Sequence, residues 1–183
     1  MTPCIALLRG INVGRAKRIA MADLRALLEG LGFSDVHTVL NSGNAVFYAP
    51  TADVDRIAQD IEAAIAHQLG LSVPVIVLTA AALDEIVAAR PSDHAGGDPS
   101  KCLVAFVPGA AALATAATLC NTPWAPDRYA VGPRAAYLCC ADSLLTSPLV
   151  QAFTRAMGAA VTTRNWATVC KLQAAANALP AAR

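Results

Sequence analysis

The sequence predicts an α+β protein made of two βαββαβ halves with an additional C-terminal helix. Three observations carry this prediction. Short apolar runs alternate with stretches whose apolar residues recur at helical spacing. Turn-forming residues join neighbouring runs into hairpins. A linker-like stretch at residues 91–100 is followed by a second round of the same order of elements.

The first apolar run, residues 4–11, reads as a buried strand. Met21, Leu24, Leu27, Leu28 and Leu31 then recur at helical spacing, and Gly32 stops the helix. Residues 36–40 and 45–49 read as two strands around Asn41-Ser42-Gly43-Asn44, a hairpin signal. Val54, Ile57, Ile61, Ile65 and Leu69 mark a second amphipathic helix closed by Gly70. Residues 73–78 complete the order β-α-β-β-α-β, the ferredoxin-like pattern.

Thr79 is placed to cap a connecting helix that ends near Arg90-Pro91, and two prolines, two glycines and two aspartates then mark residues 91–100 as a linker. In the second round, residues 102–107 read as a strand and 110–119 as a helix, with a hairpin of 129–131 and 135–139 around Gly132-Pro133. Ser147 is expected to cap a helix with Pro148 at its first position, turning Leu149, Val150, Phe153 and Met157 inward. Residues 159–162 would form a short last strand before the C-terminal helix. The predicted boundaries are a ferredoxin-like half at 1–79, a connecting helix and linker at 80–100, and a second ferredoxin-like half with the C-terminal helix at 101–183.

A chain of 183 residues, 56% of them hydrophobic, is long enough to bury a true core. Its 14 basic and 13 acidic side chains nearly cancel, so no global field draws in a polyanion and any basic site must be local. Residues 102–126 carry no charge, a length that could span a bilayer. Pro108-Gly109 breaks that stretch and alanine and threonine dominate the remainder, so strand, turn and buried helix explain it better. The N-terminus shows neither the basic segment nor the cleavage site of a signal peptide, and a cytoplasmic location is expected. The six cysteines form no C-x-x-C pair and lie at no metal-finger spacing from His37, His67 or His94, so reduced core thiols and no metal site are expected.

Three polar clusters interrupt the apolar chain. The first, Arg9-Gly10-Ile11-Asn12-Val13-Gly14-Arg15 with Lys17 and Arg18, follows a strand and leads into a helix. Glycines there allow close backbone approach, and the basic side chains suit an anion. The glycine spacing is one short of a P-loop and no Lys-Ser/Thr pair follows. The second, Asn41-Ser42-Gly43-Asn44, is first of all a turn. Ser42 could be a nucleophile only with a base in reach, and the sequence assigns none, His37 being placed on a strand. The third, Thr162-Thr163-Arg164-Asn165-Trp166, is expected to begin the C-terminal helix, capped by a threonine, with Arg164, Ala167, Thr168 and Lys171 along one polar stripe. His94, in the linker, is expected to be solvent-exposed.

At these residues the chain resembles the domain-of-unknown-function family 1697. Ile5-Ala-Leu-Leu-Arg-Gly-Ile-Asn-Val-Gly14, Met21-Ala-Asp-Leu-Arg25, Ser42-Gly43-Asn44 and Thr162-Thr-Arg-Asn-Trp166 with Val169 and Lys171-Leu172 carry the likeness, in unbroken order to about Leu172. The resemblance implies a bacterial-type cytosolic α+β protein of two ferredoxin-like halves, and it implies no activity. Four positions depart from the family pattern: Arg15 stands where it has a second glycine, Ala16 where it tends to lysine, Ala167 where it has asparagine, and Ser147-Pro148-Leu149 where it has Ser-Lys-Leu.

The resulting expectation is a cleft between the halves that holds a phosphate-bearing or carboxylate small molecule, a nucleotide among the candidates. Arg9, Arg15, Lys17, Arg164 and Lys171 would supply charge, while Asn12, Gly14, Ser42, Gly43, Asn44, Thr163 and Asn165 would shape and orient. The second reading is a nucleic-acid-binding module, which 5% aromatics and near-neutral charge disfavour. A third is a protein-interaction scaffold whose motifs only make turns and caps. No catalytic residue, cofactor or oligomeric state can be assigned from the sequence, and no membrane association is expected.

Overall fold

The computed structural model describes residues 1–14, 17–94 and 96–180. The chain forms two compact units, one of residues 1–83 with the C-terminal stretch from Lys171, the other Asp84–Cys170.

In the first unit the order is β1 (Thr2–Leu8), α1 (Met21–Gly30), β2 (Ser34–Thr38), β3 (Asn44–Ala49), α2 (Val54–Leu69) and β4 (Val75–Thr79). The four strands form an antiparallel sheet in the order β2-β3-β1-β4, with Ile5 opposite Val46 on one side and Leu78 on the other. Alternation along the strands sends Cys4, Ala6 and Leu8 into a core with Ala45, Phe47, Val75 and Val77. Leu24, Leu27 and Leu28 of α1 and Ile57, Ile61 and Ile65 of α2 close that core, and they are the residues whose spacing marked the two helices. Asp53 caps α2 by accepting the Arg56 N–H at 3.1 Å.

The second unit repeats the topology. After α3 (Ala80–Ala88), which begins in the first unit, and a 3-10 turn (Ser92–His94) come β5 (Cys102–Phe106), α4 (Gly109–Thr118), β6 (Arg128–Val131), β7 (Ala135–Cys139), α5 (Pro148–Met157), β8 (Thr162–Asn165) and α6 (Trp166–Asn177), whose residues from Lys171 onward belong to the first unit. Its sheet runs β6-β7-β5-β8, again antiparallel. Ala105, Ala136 and Leu138 pack with Ala116 of α4 and with Leu149, Phe153 and Met157 of α5. Ser147 caps α5, as expected, accepting the Val150 N–H at 3.1 Å while its hydroxyl donates to Asp127 Oδ2 at 2.6 Å.

Three expectations are corrected. The last strand lies at Thr162–Asn165 rather than 159–162, because its backbone finds partners along β5, from Phe106 opposite Thr162 to Leu103 opposite Asn165. Cys102 and Cys139 are direct cross-strand partners and are joined by a disulfide, so they are not free thiols; Cys4, Cys120, Cys140 and Cys170 are free. His94 is buried, at 1% exposure, where a solvated linker histidine was expected. Among the described residues no helix is long and apolar enough to cross a membrane.

Candidate functional site

The first two clusters meet in the first unit. As β1 ends, the Leu8 N–H donates to Gly43 O at 2.8 Å and the Arg9 N–H to Pro74 O at 2.9 Å, so the strand end is pinned on both sides. The chain then passes through left-handed backbone at Gly10 (φ 68°), Asn12 (56°), Gly14 (63°) and Lys17 (51°). Two of these are not glycine, a conformation held only where neighbours over-determine it.

Asn12 is what holds it. Its backbone N–H donates to Lys17 O at 3.1 Å. Its Oδ1 accepts the Ile19 N–H at 3.0 Å, and its Nδ2 donates to Ile19 O at 2.9 Å and to Asn41 O at 2.8 Å. Both amide donors are spent on the protein. Lys17 Nζ donates to Ser72 O at 2.7 Å, and Arg18 Nη2 to Gly14 O at 3.0 Å. Gly10, Val13, Gly14, Lys17 and Arg18 are exposed, Arg9 is half-buried, and Arg15 lies outside the described residues.

The hairpin turn packs beneath this loop. Asn44 is 0% exposed and donates from Nδ2 to Val39 O at 2.8 Å and to Ser42 Oγ at 3.0 Å. Gly43 (φ 80°) lies so close to the loop that a Cβ there would stand 2.8 Å from the Ile11 side chain and 2.9 Å from Leu8 Cβ. His37 lies on β2 and pairs with Val46 of β3, so it is on a strand as expected.

The third cluster belongs to the second unit, and its geometry differs from the expected helix start. Thr163 and Arg164 lie on β8 opposite Ala105 and Val104, so the predicted stripe of Arg164, Ala167, Thr168 and Lys171 does not form. The cap of α6 is Asn165 rather than a threonine: its Oδ1 accepts the Thr168 N–H at 2.9 Å and the Thr168 hydroxyl at 2.7 Å. Arg164 Nη1 donates to Thr163 O at 2.9 Å. Burial pushes its guanidinium down to about 10, which still leaves it charged at neutral pH. Lys171 is exposed on α6.

Two features bear on the other readings. Phe47 and Tyr48 are both buried, so neither is a surface on which a base could stack. Arg90, Arg128 and Trp166, which no local spacing groups together, are gathered around the turn that carries His94. Arg90 lies 4.1 Å over the Trp166 ring and donates to His94 O, and Arg128 donates to Asp93 O.

Two ferredoxin-like halves with a C-terminal helix define an α+β protein, and two of its three sequence motifs fall on the loop and turn that clasp each other in its first half. The family model described as "Protein of unknown function (DUF1697)" matches residues 1–137, and the chain belongs to that family. Among solved structures it is similar to the conserved bacterial protein SP0830 from Streptococcus pneumoniae, with a TM-score of 0.76 and 21% identity over 96% of this chain and 98% of that one. That likeness is one of fold. No functionally curated protein matches the chain.

Proposed function

We propose that the protein binds a small molecule through a phosphate or carboxylate group received by the loop at residues 9–18. The observation that supports this is the loop's construction: left-handed backbone at Gly10, Asn12, Gly14 and Lys17 among its described residues, locked by Asn12 to a turn beneath. Left-handed backbone of this kind can form an anion-binding concavity, and Lys17 and Arg18 stand exposed beside it. Arg9 adds charge at the base of the loop. Asn12, Gly43 and Asn44 act by holding its shape, since the side-chain amides of both asparagines are bonded within the protein.

A thermal-shift panel of nucleotides, sugar phosphates, simple oxyanions and short oligonucleotides tests this on the wild type and on Lys17→Gln/Arg18→Gln. A ligand at a hundred times its dissociation constant stabilises the protein by about 2.7 kcal/mol. Stabilisation by a small anion that disappears in the double variant is the expected result. Stabilisation by oligonucleotides alone, falling steeply with salt, would replace this reading with the nucleic-acid one. No stabilisation by any member of the panel would overturn it.

A further inference from the structure

The second unit contains a separate collection of positive charge. Arg90 Nη2 and Arg128 Nη1 donate to the neighbouring carbonyls of His94 and Asp93, so two guanidinium groups are held on one short turn. Arg90 is also fixed by its stacking on Trp166. Inside the turn, His94 is buried, and its Nδ1 has no hydrogen-bond partner among the described residues. Buried polar nitrogens are nearly always bonded to something.

We propose that the Arg90–His94–Arg128 group is a binding site for one oxyanion group, a carboxylate or a phosphate, seated against His94. Each guanidinium has five N–H donors in a planar fork suited to such a group, and one nitrogen of each is bonded to the turn. The carboxylate that acts on His94 is that of Asp93, which is exposed, as is Arg128, while Arg90 is half-buried. Burial pushes His94 below its ordinary value; Asp93 opposes this, and Arg128 and Arg90 each add to it by less. An oxyanion, unlike a water, can accept from N–H groups of both guanidiniums and from the ring at once.

Gly97 packs directly beside the group. A Cβ there would meet Cys102 Sγ at 3.5 Å, Arg128 Nη2 at 3.9 Å and the His94 carbonyl oxygen at 4.0 Å, so a larger side chain would crowd Arg128 and the turn.

The test is a titration of the full-length protein with inorganic phosphate, then acetate, at constant ionic strength and mildly alkaline pH, following the ring nitrogen resonances of His94 by NMR. The expected result is a saturable shift of Nδ1 with at least one of the two anions. Arg128→Gln, an exposed change that should leave the fold intact, should weaken binding by about tenfold, the scale of one charge-assisted hydrogen bond. Gly97→Leu should weaken it with no change of charge. Lys17→Gln/Arg18→Gln should leave it unaltered, which separates this site from the loop at residues 9–18. A His94 signal that neither anion moves, or one that moves equally in wild type and Arg128→Gln, would overturn the proposal.

Discussion

Gly43→Ala tests the clasp between the loop and the turn directly. The added methyl must take left-handed backbone at φ 80° and must also enter space held by Ile11 at 2.8 Å and Leu8 at 2.9 Å. The backbone term costs roughly 1–2 kcal/mol. Forcing a methyl into a packed site adds roughly 1–3 kcal/mol. Ile11 and Leu8 are both buried, so neither can swing out to relieve the contact. Together the loss is about 2–5 kcal/mol, which for a chain of this length lowers Tm by on the order of 10 °C. Gly70→Ala is the matched control, left-handed at φ 65° with nothing within 4 Å of the added Cβ. It should lose the backbone term alone. The assay is paired thermal and urea unfolding of both variants, and the difference between them isolates the steric part. Equal losses in the two would refute the clasp, because they would mean that Leu8 and Ile11 yield freely.

Three further outcomes follow from the same bonds. Asn12→Ala removes three side-chain hydrogen bonds and should cost about 1–3 kcal/mol, with faster amide exchange at Ile19 as the local signature. Asn165→Ala should cost about 1 kcal/mol by uncapping α6, seen as faster exchange at Thr168, while Asn165→Asp should keep most of the stability. Tyr137 donates to Ile86 O at 2.6 Å, and burial raises its hydroxyl from 10.0 to about 12. A raised folded value means that its contribution is complete below pH 10 and is lost as pH climbs toward 12. Tyr137→Phe should therefore cost about 1 kcal/mol at neutral pH and flatten the alkaline decline in unfolding measurements.

By itself the sequence determined the two βαββαβ rounds and the helix faces. Leu24, Leu27 and Leu28, and likewise Ile57, Ile61 and Ile65, lie three or four residues apart because one helical turn sets that spacing, and they are the core residues found. Gly70, Ser147 and the turn at 41–44 were legible for the same reason, each acting on backbone within a few residues of itself. What tertiary structure decided acts across larger separations. Thr162–Asn165 became a strand because β5 offered an edge, which no helical or alternating pattern in those four residues announces. Cys102 and Cys139 were joined by the register of β5 on β7. Asn12 reaches Asn41 and Lys17 reaches Ser72 only once the sheet has brought their loops together, so residues that looked like ligand contacts also serve as ties. His94 is buried, with Arg90 and Arg128 gripping its turn, for a reason of the same kind: Arg128 is supplied by a strand far along the chain, and charge gathered that way leaves no periodic trace in a sequence.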